Sequence, residues 1–303
     1  MTAAIELLTA NIAPIIIVAA IGGLVQRIFD LDPVPLSRAI FYAFGPALVF
    51  ESIVTTTISA GDMLTMGVFS IILPTLVGAI AFLVSRLLSL DASTTSAVVL
   101  VTMFLNAGNY ALPLVEFAFG PEGLAWATIF FIVHALMLNS IAVFIASAGK
   151  EPIGRALLQM FKVPAIYAIP LAFLMRTATF TLPLFVGRSV ELLADAAIPS
   201  MLFLLGMQIV RAGKPKCWGI ISLVTVLRLV VSPLLGFPLA RMIGLTGAGF
   251  NAGVTEAAMP GPVMATVLAT EYEIQSDLVT GAVLITTLLS PLTLTVVLMV
   301  LGA

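Results

Sequence analysis

Apolar residues run along this chain in stretches of about 20 or more. They are separated by short clusters such as Asp30-Leu31-Asp32-Pro33, Ser59-Ala60-Gly61-Asp62, Gly149-Lys150-Glu151-Pro152 and Gly213-Lys214-Pro215-Lys216. A run of that length is what a helix needs to cross the hydrocarbon core of a bilayer. Hydropathy places ten spans, at about 4–28, 36–58, 63–88, 93–118, 122–148, 163–182, 186–210, 217–242, 248–271 and 277–302. The first run has no positively charged segment ahead of it and is too long for the apolar part of a cleaved leader, so it reads as a span. Residues 149–162 form the longest loop, where Pro152-Ile153-Gly154-Arg155 is expected to start an amphipathic helix along the membrane surface.

Composition agrees with the pattern. Of 303 residues, 61% are hydrophobic and 9% charged, with a mean hydropathy of +1.20. A soluble domain carries about a quarter charged residues, so a water-soluble protein is excluded. Thirteen basic and 15 acidic residues leave no polybasic patch for nucleic acid. The single cysteine, Cys217, forbids an intramolecular disulfide. The expected fold is an all-α polytopic membrane protein.

Lys and Arg in short loops set the orientation. With the N-terminus outside, the cytoplasmic side holds Arg27, Arg38, Arg86, Lys150, Arg155, Lys162, Arg211, Lys214 and Lys216. The outer side holds Arg176, Arg188 and Arg241. Both termini are therefore expected outside. Trp126 and Trp218 fall near span ends, where aromatic rings favour the interface.

The two halves of the chain resemble each other. Pro46-Ala47-Leu48-Val49-Phe50 aligns with Pro199-Ser200-Met201-Leu202-Phe203, Arg86 with Arg241, and Pro113 with Pro260, at offsets that agree within the length of a loop. Residues 1–148 then form a first five-helix repeat, 149–162 a cytoplasmic connecting loop, and 163–303 a second repeat. An odd number of helices sends the second repeat into the membrane from the opposite side, which is the inverted-repeat architecture of many secondary transporters.

The polar chemistry sits at mid-membrane. Span 4 carries Asn106-Ala107-Gly108-Asn109-Tyr110-Ala111-Leu112-Pro113, and span 9 carries Glu256-Ala257-Ala258-Met259-Pro260-Gly261-Pro262. Proline lacks an N–H and clashes with the carbonyl four residues back, so helices 4 and 9 are expected to break at Pro113 and Pro260. Broken helices at matching positions point to a transport site. Their half-helix N-termini offer N–H donors that favour an anion. Asn106, Gly108, Asn109, Pro113, Glu256, Pro260 and Pro262 are the expected substrate-binding residues.

Asp195 and Arg228 fall near the centres of spans 7 and 8. A charge at that depth needs a partner or water, so they read either as a structural ion pair or as an ion-coupling pair. Glu256 is a further coupling candidate, taking a proton or Na⁺. Glu51 and Glu191 lie nearer the outer ends. His134 reads as a hydrogen-bonded helix contact ahead of the alternative, a proton relay, and Asn139 and Gln208 as interhelical or substrate contacts. No phosphate loop, His-Glu-x-x-His or nucleophile elbow occurs, so neither ATP drive nor an enzyme is expected, and no cofactor.

With those residues in view, the chain resembles the auxin efflux carrier family, which includes bacterial organic-acid permeases and the plant PIN carriers. The resemblance lies in Ala258-Met259-Pro260, Ala269-Thr270-Glu271-Tyr272, Asp277 and Ser290-Pro291-Leu292-Thr293-Leu294. It continues in Asn106 with Pro113, Asp195-Ala196 with Met201 and Leu205-Gly206, Arg228 with Pro233, and Arg38 with Pro46 and Phe50. It implies ten helices in two inverted repeats, substrate binding where helices 4 and 9 cross, outward termini and a homodimer. Two departures stand out. The long cytoplasmic loop of the plant carriers is absent, and Glu256 replaces an uncharged polar residue, which argues against auxin itself. The expected function is secondary transport of a small mono- or dicarboxylate such as malonate or malate, or an auxin-like acid, coupled to H⁺, Na⁺ or membrane potential. The alternative is a ligand-gated anion channel or receptor on the same fold.

Overall fold

Proline shapes several helices without ending them. The computed structural model describes residues 8–147, 154, 158–178, 182–212 and 215–303. In it, π-helical turns at Leu8–Ile12, Ile40–Phe44, Ala107–Ala111 and Leu227–Val231 each end two residues before a proline: Pro14, Pro46, Pro113 and Pro233. Widening the turn moves the clashing carbonyl away and tolerates the missing N–H. Pro113 therefore begins a helix and does not break one, which corrects the expectation for span 4.

Every regular element among the described residues is helical. In chain order they are α1 (Thr9–Phe29), α2 (Val34–Thr55), α3 (Ala60–Leu87), α4 (Ala92–Met103), α5 (Leu112–Met137), α6 (Ala165–Ala178), α7 (Leu184–Arg211), α8 (Trp218–Ile243), α9 (Gly247–Ala257), α10 (Met264–Glu271) and α11 (Ser276–Leu301). Among the described residues, seven stretches are long and apolar enough to cross a membrane, one of them the run Ala92–Ala146 that contains α4 and α5. That run leaves the helical path at Phe104–Asn106, and again at Gly120 (φ 67°, ψ −166°), a conformation open to a residue without Cβ. The ninth expected span is divided into α9 and α10 by Ala258–Val263, which holds Pro260 and Pro262. Lys150, Arg155 and most of the expected surface helix lie outside the described residues.

Large apolar side chains cover the outside. Leu64, Phe82, Leu171, Leu234, Leu292 and Val300 are all more than half exposed. So broad an apolar surface suits lipid, not water. Inside, one buried cluster joins α1, α2, α3, α5, α7 and α9, and a second joins α3, α4, α8, α10 and α11.

Helices α1 and α7 approach closely enough that glycine is required between them. A Cβ placed on Gly206 would lie 1.7 Å from the Ala19 carbonyl oxygen, and one on Gly22 would lie 2.1 Å from that of Phe203. Small residues let two backbones meet where lipid supplies no hydrophobic drive. Beyond the seam, the Arg211 guanidinium lies 3.7 Å from the Asp30 carboxylate, tying the ends of the two helices.

Candidate functional site

The two helix interruptions meet. The Asn106 N–H donates to the Pro260 carbonyl at 2.9 Å, so one backbone hydrogen bond joins the two non-helical segments. Each is also held from outside. His134 on α5 places Nε2 3.2 Å from the Leu105 amide nitrogen and 3.1 Å from its carbonyl oxygen, so either tautomer satisfies one of these groups. Its ring stacks on Phe130, with Phe104 on another side. At the second interruption the Gly261 N–H donates to Thr286 Oγ1 on α11 at 3.2 Å.

The crossing separates helix ends by polarity. A cavity of ≈ 200 Å³ lies beside the beginnings of the two following helical segments. From the first it is lined by Asn106, Ala107, Gly108 and Asn109, and from the second by Pro262, Val263 and Met264. Such N-terminal ends carry partial positive charge and free N–H donors. Asn139 and Gln208 add amides, and Phe41, Phe131 and Met201 an apolar wall. Among the described residues, no Lys, Arg, Asp or Glu lines it. The Asn106 side chain is 6% exposed and its Nδ2 has no hydrogen-bond partner, nor has Oε1 of Gln208. A cavity rich in neutral donors suits a small polar ligand.

The opposite ends converge on Arg228. This residue is wholly buried. Its Nε donates to the Met259 carbonyl at 2.8 Å and its Nη1 to the Thr102 carbonyl at 3.0 Å. Its Nη2 donates to the Ala257 carbonyl at 2.6 Å and to Ser232 Oγ at 2.8 Å. Thr102 lies in the last turn of α4, and Ala257 ends α9. The guanidinium thus satisfies carbonyls that two helix C-termini would otherwise leave bare.

The structure brings Asn106, Gly108, Asn109 and Pro262 together around the cavity, and joins Pro260 to it through its carbonyl. Gly108 leaves room there: a Cβ would lie 2.9 Å from the Phe131 ring. Pro113 and Glu256 are buried but do not line the cavity. Among the described residues both Glu256 carboxylate oxygens are without a hydrogen-bond partner, and the carboxylate interacts electrostatically with Arg228. Asp195 is not Arg228's partner, which corrects the expected pair. It lines a separate cavity of ≈ 630 Å³ with Glu51, Glu116, Glu122 and Ser52. The reason is that backbone carbonyls, invisible to a search for carboxylates, take up the guanidinium. Sequence reasoning missed Thr102, Ser232 and Thr286, whose signal was only a hydroxyl or carbonyl at mid-membrane depth. Trp218 is exposed at the start of α8, and Trp126 packs on Gly249.

Comparison with known proteins completes the picture. The sequence pattern described as membrane transport protein matches residues 7–155 and again 151–298. The chain is 26% identical over 287 residues to an uncharacterized transporter of Methanothermobacter thermautotrophicus, covering 93% of this chain and 94% of that one. It is 28% identical over 298 residues to an uncharacterized transporter of Methanocaldococcus jannaschii, covering 92% and 94%. It is also similar to auxin efflux carrier component 1 of Arabidopsis thaliana, 26% identical over 120 residues, covering 37% of this chain and 19% of the plant protein.

Proposed function

The chain belongs to the membrane transport protein family, of the auxin efflux carrier type, and from that premise we propose that it is a secondary active transporter of a small organic anion. It is a multi-pass membrane transporter and its family is not one of enzymes. The single observation that carries the finer reading is the ≈ 200 Å³ cavity where two helix N-termini face an unpartnered, buried Asn106 amide. Donors and partial positive charge without a fixed cation attract a carboxylate and still let it leave, as transport demands. A mono- or dicarboxylate such as malonate or malate, or an auxin-like acid, fits this chemistry.

The mechanism is alternating access. Ten spans in two inverted repeats, divided at 1–148 and 163–303 about the connecting loop, would carry the crossing of α4–α5 and α9–α10 past a fixed barrier. The family reading adds a homodimer and a cell-membrane location. Asp195, Arg228 and Glu256 are the charged groups through which H⁺ or Na⁺ would be coupled. Cys217 is exposed. With both termini outside, an impermeant thiol reagent misses it in right-side-out vesicles and reaches a cysteine placed at Thr2.

The test is Asn106→Ala. Its side-chain Nδ2 has no partner to lose, so the melting temperature stays put while charge movement induced by a panel of carboxylates in proteoliposomes falls at least tenfold. Unchanged transport by this variant would place the substrate elsewhere.

A further inference from the structure

Two helix C-termini point at one place in the membrane, and that place is filled by the protein's own cation. The last turn of α4 and the end of α9 present the carbonyls of Thr102, Ala257 and Met259 to the Arg228 guanidinium. Each C-terminus carries a partial negative charge, so the two repel unless a cation lies between them. In transporters with interrupted helices, half-helix C-terminal ends and unwound carbonyls are the groups that coordinate a coupling Na⁺. Here the same kind of ligand set is occupied by a side chain on α8 that cannot dissociate. Its fourth bond, to Ser232 Oγ, is fixed in turn because that hydroxyl donates to the Ala257 carbonyl at 2.7 Å. Arg228 is wholly buried, so no water competes for these bonds.

We propose that Arg228 is a resident cation that stands where an alkali cation would otherwise bind, so that the crossing is held together without sodium. The inference deepens the transport reading and, for its consequence on coupling, rests on it: the coupling ion, if there is one, is not a sodium ion at the helix C-termini. Arg228 is a positioning residue, since it does not line the anion cavity. Removing its side chain should expose three carbonyls, with the Glu256 carboxylate near by, as an open cation site.

The experiment reads melting of the purified full-length protein and needs no substrate, so it fails separately from the transport reading. Wild type, Arg228→Ala and Arg228→Lys are melted in detergent with millimolar choline, sodium or guanidinium chloride at matched ionic strength. Wild type and Arg228→Lys, each with a resident charge, should melt alike in all three salts. Arg228→Ala should melt several degrees lower in choline and recover in guanidinium, whose shape matches the lost group. Sodium-specific stabilisation of wild type would overturn the proposal. So would a folded Arg228→Ala that no cation rescues. Should Arg228→Ala fail to fold, the wild-type and Arg228→Lys melts decide it: indifference to sodium in both supports the resident cation, and a rise with sodium in either overturns it.

Discussion

The two helix interruptions that meet at the crossing are made by opposite means. Ala258–Val263 contains two prolines, Pro260 and Pro262, so the chain itself removes two N–H donors within three residues and makes a continuing helix costly. Phe104-Leu105-Asn106 contains none, and nothing in its backbone forbids a helix. It is opened by a tertiary partner, His134, which binds the Leu105 backbone. One break is intrinsic and one is imposed. An imposed break depends on packing made elsewhere, so it is the one that can close if the packing changes.

That difference can be broken or sharpened by substitution. The largest effect belongs to His134→Ala, which leaves a buried backbone group bare and empties a space between Phe104 and Phe130, at a cost of about 3 kcal/mol. Thermal unfolding measures it, and His134→Gln should recover part. A neutral His134→Ala would mean that the first break is intrinsic too. Next comes Pro260→Ala combined with Pro262→Ala. Each change loosens the unfolded chain at about 0.4–1 kcal/mol, while the proposed carboxylate-induced charge movement should collapse as helix grows into the gap. Retained transport would show that the prolines do not maintain the break. Pro113→Ala is smaller still, under about 1 kcal/mol, because proline's missing N–H is tolerated in a first turn. Its transport should survive, in contrast to the proline pair. Last, Asp195→Asn and Arg228→Gln should add within about 0.5 kcal/mol in a double-mutant cycle, as separated sites do. A larger coupling would restore the ion pair that the geometry denies.

The comparison also explains what could be read from residues alone. The all-helical, multi-pass character and the second break were legible because hydropathy and proline act locally, within a turn or two of the chain. Asn106 was legible as a polar residue at mid-membrane depth, and the structure puts it on the cavity wall. The site of the first break was misplaced by seven residues, from Leu105–Asn106 to Pro113, because its cause is a histidine 29 positions away. Arg228 was legible as a charge that needed company. Its company was not, since the acceptors are main-chain carbonyls exposed only once α4 and α9 have ended. Sequence shows where a helix cannot run; it does not show where a neighbour has persuaded it to stop.

The glycine seam of α1 and α7 constrains how such a protein can move. Gly206 against Ala19 and Gly22 against Phe203 leave no slack for either helix to slide or roll on the other, and Arg211 with Asp30 pins the far end. The pair is kinematically one strut. In the proposed alternating access, whatever rocks would carry α1 and α7 together or leave both standing, and the pivot would lie on another pair of helices.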